Sequence, residues 1–185
     1  MSSRITEILE EIDKLKAELR EELDKEIENK EFHKKWSFKE LIDYFKTIPL
    51  GTILTAPIIY AMVIPAVILD IFLWVYQNIN LRVYKIPLVK RSDYIVYDRH
   101  HLEYLHPIDK LGCVYCSYFN GLIAMTAEVA SRTELYFCPI KHKKRLAYEH
   151  KYYKYFLPYG YEKYYENIEK LRNNLRNYNF TDKPN

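Results

Sequence analysis

Residues 47–69, "TIPLGTILTAPIIYAMVIPAVIL", carry no charged side chain, and after Asp70 the apolar character resumes in "IFLWVYQNI". This run constrains the chain more than any other feature. An apolar stretch beyond about 18–20 residues exceeds what a soluble core helix needs and matches the hydrocarbon thickness of a bilayer. The segment is therefore expected to enter a membrane. Pro57 and Pro65 lie inside it and Pro49 stands at its start. An internal proline removes a backbone hydrogen bond and kinks or breaks a helix. Both flanks are basic: Lys34, Lys35, Lys39 and Lys46 before, Arg82, Lys85, Lys90 and Arg91 after. A simple span has one side more basic than the other. Two basic flanks suit a bent, re-entrant or interfacial segment with both ends on the cytoplasmic side, and they also suit a kinked span with weak orientation information. Asp70 is expected at the headgroup boundary, or else paired, because a lone carboxylate in lipid is costly.

The surroundings divide into four further regions. Residues 1–31 hold six Lys/Arg and eleven Asp/Glu, a net −5, which leaves +8 on the rest of a chain whose net charge is +3. Ile5, Ile8, Ile12, Leu15, Leu19, Leu23 and Ile27 recur at steps of three or four, so this arm is an acidic amphipathic helix. Its apolar stripe over 4–28 packs either on the chain's own body or in a coiled coil with another copy or a membrane protein. Residues 32–47 alternate aromatics and lysines, the composition of a membrane interface. Residues 48–79 are the membrane segment. Residues 80–147 hold the cysteines, and residues 148–185 form a Tyr-rich basic tail ending in a helix with Tyr164, Ile168, Leu171 and Leu175 on one face. The tail's lysines and tyrosines suit anionic lipid headgroups and are not assigned to nucleic acid. "YIVY", 94–97, reads as a short strand. Gly112 is expected to break the chain, with a helix over 117–137 and Cys138 capping another. His33 and His150 are expected at the surface. The fold class is mostly α: a membrane-attached helical protein with an N-terminal amphipathic helix and a small Cys/His helical domain.

The chemistry-bearing pattern is "CVYC", then 21 residues, then "CPIKH". Thiolate and imidazole are preferred ligands of zinc and of iron in sulfur-rich sites. Cys113, Cys116, Cys138 and His142 are the expected ligands of one ion. Zinc would make a closed structural staple in an adaptor or assembly factor; iron would make an electron-transfer centre. The same residues leave open a reactive dithiol with a spare thiol, or three unrelated small residues. A second reading is an enzyme acting at the membrane surface on a lipid or lipid-linked substrate, with His100, His101, Glu128 and Glu134 as its site, di-iron being the less favoured form. Three cysteines cannot all pair within one chain, which fits a reducing compartment. The charged first thirty residues do not read as a signal peptide.

The motifs "DYIVYDRHHLEYL", "KLGCVYCSYFNGLIA" and "EVASRTELYFCPIKH" together resemble a group of small bacterial membrane proteins, from about the apolar segment to Tyr159. The resemblance implies a bacterial inner-membrane protein with its bulk on the cytoplasmic side. It brings no activity and no catalytic residue. "CPIKH" also resembles the Cys-x3-His half of the CDGSH iron–sulfur proteins, which would imply a [2Fe–2S] cluster. Here, however, the first pair is Cys-x2-Cys, the spacer is longer and the "DGS" is missing.

Overall fold

The computed structural model describes residues 3–28 and 37–177. The interfacial residues 32–36, His33 among them, and the chain beyond Asn177 lie outside the described residues. The protein is mostly helical. Among the described residues no strand forms, and the nearest approach to one is a parallel bridge between Ile140 and Leu157.

The arm is α1, Ser3–Glu28. Lys25 pairs with Glu21 at 3.0 Å, one turn away, in the Glu-before-Lys order that supports an exposed helix. Its apolar stripe faces outward: Leu15 and Leu19 are 58% and 61% exposed. A short amphipathic helix, α2 (Phe38–Thr47), follows. Pro49 then opens α3 (Leu50–Ala61), which passes at Met62 into α4 (Val63–Tyr76) and ends in a π turn, Gln77–Leu81. The apolar run is thus one rod of 32 residues, Leu50–Leu81. Its single interruption is at Met62, three residues before Pro65, whose missing N–H leaves a carbonyl one turn back without its helical donor. The chain does not reverse within the rod, so a re-entrant hairpin is not formed.

From Arg82 to His106 the chain runs back beside the rod as an extended strap. Over residues 87–89 its backbone groups bond to side chains, and elsewhere they close local turns. The Val89 N–H donates to Gln77 Oε1 at 2.9 Å. The Pro87 and Leu88 carbonyls accept from Arg132 at 2.8 and 3.0 Å. In "YIVY" the Tyr94 and Ile95 N–H groups instead donate to the Arg91 carbonyl at 3.1 and 3.0 Å, closing a turn where a strand was expected. Asp70 is paired: Arg91 of the strap reaches it at 2.5 Å and the Tyr118 hydroxyl donates to it at 3.0 Å.

The central element is α5, Pro107–Phe137. Pro107 sits in its first turn, where no N–H is needed, and the His106 ring accepts from the Ile108 N–H at 3.2 Å as the cap. The helix runs through Gly112 without a break. Leu122, Met125, Val129 and Leu135 recur at helical spacing and bury against Leu81, Ile86, Val89 and Ile95. Cys138 ends α5 and caps no new helix; its N–H donates to the Glu134 carbonyl at 2.8 Å. The chain then loops to α6, Tyr164–Asn177, which buries Ile168 and Leu175 and clamps the end of α5 through Arg172 to the Tyr136 carbonyl at 3.1 Å.

The two glycines of α5 differ sharply. A Cβ on Gly112 meets nothing within 4 Å, whereas one on Gly121 would stand 2.5 Å from the Tyr94 carbonyl oxygen. Gly121 lets the strap backbone lie against the helix. Gly112→Ala is expected to stabilise by about 0.5–1 kcal/mol through helix propensity. Gly121→Ala is expected to destabilise by about 1–3 kcal/mol through overpacking. Thermal unfolding of both variants checks the opposite signs.

Candidate functional site

The 31 residues of α5 decide where the thiols lie. Cys113 and Cys116 are on its second and third turns, and Cys138 is at its far end. The 22 steps from Cys116 to Cys138 along a helix span about 33 Å, while a metal–sulfur bond reaches only about 2.3 Å. Cys113, Cys116, Cys138 and His142 therefore do not share an ion within one chain. The expectation fails because the helix does not wait for the first thiol pair to end. It starts at Pro107, ahead of both cysteines, and carries them away from Cys138 and His142. Among the described residues no group of three or more His, Cys, Asp or Glu side chains is placed to hold a metal.

Helix geometry places the α-carbons of Cys113 and Cys116, three positions apart, about 5 Å from each other. This is within the range of roughly 4.4–6.8 Å that a disulfide bridges. All three cysteines are free thiols; Cys116 is exposed and Cys113 half-buried. Both line a cleft of 470 Å³ where α2, α3, the later part of the strap and the start of α5 meet. Tyr44, Ile48, Tyr60 and Ile108 give it apolar walls, and Arg99 and Asp109 supply charge. Arg99 donates to Ser117 Oγ at 2.8 Å, which fixes the guanidinium beside the second thiol's turn. The Tyr44 hydroxyl donates to Asp109 at 2.6 Å, and its ring stacks on His106 with centroids 4.0 Å apart. The hydrogen bond to Asp109 holds the Tyr44 phenol above its usual range. A second depression of 350 Å³, lined by Tyr94, Asp98, Asn120 and Gly121, shares Arg99 and Cys116 with the first. Cys116 and Arg99 thus stand on the ridge between two openings.

The alternative enzyme site is also divided. The His100 and His101 rings lie side by side, with centroids 3.9 Å apart and planes tilted by 41°, in a short turn of the strap. Glu128 lies about three turns beyond Cys116 along α5 and is occupied. Its Oε1 accepts from Tyr152 at 2.5 Å and from Arg132 at 2.9 Å, with Lys151 at 3.2 Å. Glu134 pairs with His150 at 3.1 Å, so His150 is not a free surface residue. The His142 ring lies 3.3 Å from the Tyr153 hydroxyl. His100, His101, Glu128 and Glu134 are therefore not one constellation. Burial pushes the Glu128 carboxyl up, but hydrogen bonds from Tyr152 and Arg132 and the charges of Arg132 and Lys151 outweigh it, and the group titrates below its ordinary value. Burial, then the bond to Glu128, pushes the Tyr152 phenol far up, so it remains a donor.

The sign of the pH effect follows. A carboxyl with a lowered folded-state value stabilises fully above its unfolded value, about 4.3 for Glu. That contribution is lost as pH falls through the folded value. Thermal unfolding temperature is expected to fall on acidification through this window, and Glu128→Gln is expected to flatten that slope.

Sequence reasoning does not single out Arg99, Tyr44 or Asp109. Arg99 is adjacent to the conspicuous "HH", but only the fold shows that it, not the histidines, lines the thiol cleft. Comparison with family models, with curated proteins and with solved structures finds no match. The chemistry of the cleft is therefore argued from its own geometry.

Proposed function

We propose that the chain is a membrane-attached thiol–disulfide oxidoreductase, with Cys113 and Cys116 as its reactive pair and the apolar rod as its anchor. The observation that carries this is two thiols, one helical turn apart and unequally exposed, lining one cleft with a fixed guanidinium. In the reductive direction the Cys116 thiolate attacks a partner disulfide, forming a mixed disulfide and releasing one partner thiolate. Cys113, deprotonated, then attacks Cys116 sulfur. The second partner thiolate leaves, and the Cys113–Cys116 disulfide takes the two-electron oxidation that the partner disulfide has lost. Arg99 is positioned to neutralise a thiolate or an anionic partner group at the ridge. Cys138, at the other end of α5, is the spare thiol.

The exposed stripe of α1 supports arm-to-arm association between copies, which sedimentation of chains with and without Leu15→Glu and Leu19→Glu tests. The catalytic reading is tested by treating the reduced protein with glutathione disulfide and mapping its peptides. The expected product is a Cys113–Cys116 disulfide, lighter than the dithiol by two hydrogen atoms, with Cys138 outside the bridge. Three thiols that only acquire glutathione, with no internal bridge, would overturn it.

A further inference from the structure

We infer that the apolar rod lies in the plane of the membrane surface, seated along its length in one leaflet, and does not cross the bilayer. This rests on the proposed membrane attachment and specifies its geometry. The rod has 32 residues and is about 48 Å long, ample to cross a hydrocarbon core of about 30 Å. What opposes crossing is the rest of the chain beside it.

The hydrogen bonds to the body begin at Ile59, about a third of the way along the rod, and continue to its end, so only the first nine residues, about 14 Å, stand clear of it. Tyr115 donates to the Ile59 carbonyl at 2.9 Å, Arg91 and Tyr118 hold Asp70, Tyr76 bonds Thr133 at 3.1 Å, and Gln77 holds Val89. The strap, which runs alongside, is largely non-helical and exposes Lys90, Arg91, Asp98 and Arg99. A rod set across the bilayer would carry these charges into hydrocarbon, where each is costly. It would also carry strap backbone into a region where lipid-exposed irregular chain does not occur.

From Ala66 onward the rod has two faces, while α3 buries no residue and is apolar on all sides. Ala66, Leu73, Gln77 and Leu81, at steps of seven, four and four, are buried on the body. On the opposite face Leu50, Leu54, Ile64, Ile68, Phe72 and Ile79 are all exposed, Leu54 and Phe72 by 67% and 69%. From Leu50 to Leu81 the sole charged side chain is Asp70, and it is paired. Exposed Arg82, Lys85 and Lys90 follow the last turn. An apolar face bounded by basic residues fits the acyl layer and the anionic headgroups of one leaflet.

The test uses the full chain added to preformed vesicles of phosphatidylcholine and phosphatidylglycerol, followed by flotation. The three native cysteines are replaced by serine, and a reporter is placed at one rod end by Thr47→Cys or at the other by Lys85→Cys. A membrane-impermeant maleimide is then added outside. The expected result is flotation with both ends labelled to the same extent as in detergent, and loss of flotation in the Ile68→Asp, Phe72→Asp double variant. Flotation with one end protected until detergent is added would overturn the in-plane arrangement while leaving the anchor intact. No flotation, with a detergent-free oligomer burying the same face, would overturn the anchor itself and make a second copy the occupant.

Discussion

Arg132→Met is expected to lower the unfolding free energy by roughly 3–5 kcal/mol, the cost of breaking a buried ion pair from one side. Arg132 is 0% exposed, and it serves two parts of the fold at once. Its Nε bonds Glu128 on its own helix, and one terminal nitrogen bonds the Pro87 and Leu88 carbonyls of the strap. Methionine fills much of the same volume but donates nothing. Two strap carbonyls and a buried carboxylate would lose their donor together. Glu128 would keep Tyr152 and Lys151, so some of the loss is offset. Glu128→Gln is expected to cost less, about 1–3 kcal/mol, because the amide oxygen can still accept from Tyr152. Chemical denaturation followed by far-ultraviolet circular dichroism ranks the two. Domains of this kind have about 5–15 kcal/mol in all, so the Arg132 variant should also be the one that loosens the strap. An equal and small effect from both would mean that apolar packing alone holds the strap to α5.

The parts legible in the sequence are those with a repeating signal. α1 and α6 show apolar residues at helical steps, and the rod shows itself by length without charge. Where the sequence misleads, the cause is local. Gly112 and the Cys-x2-Cys beside it suggest a knuckle, yet Pro107 and the His106 cap have already started a helix that continues through both. Glycine in a helix is a cost of about 1 kcal/mol, which a 31-residue helix with a buried face absorbs. The strap is legible as extended but not as unpaired, because its partners are Gln77 and Arg132, far away in sequence. Asp70 is legible as a problem in an apolar run. Its solution, Arg91, lies 21 positions on, a separation that no local pattern reveals. The site suffers most: the spacing of four ligand-type residues suggests one centre, and a rigid rise between the pairs leaves two thiols one turn apart and a third remote from them.

That division gives the cysteines different expected roles, and single substitutions separate them. Cys116 is exposed on the ridge and Cys113 half-buried behind it, so in the proposed chemistry access would make Cys116 the attacking thiol and Cys113 the resolving one. Cys116→Ser is expected to reduce turnover of a small disulfide substrate to the uncatalysed background. Cys113→Ser is expected to do the same by a different route, because the first attack still occurs and the mixed disulfide then has no internal thiol to release it. One substrate half should accumulate covalently on Cys116, visible by intact mass and removed by an added dithiol. Cys138→Ser should turn over like the parent, since about 33 Å of helix separates it from the pair. Arg99→Gln should slow the first attack without trapping any intermediate. A trap in Cys116→Ser and none in Cys113→Ser would reverse the two roles while keeping the pair. Loss of turnover in Cys138→Ser would instead require a second chain to bring its far thiol to the cleft, and the working unit would then be an assembly of copies.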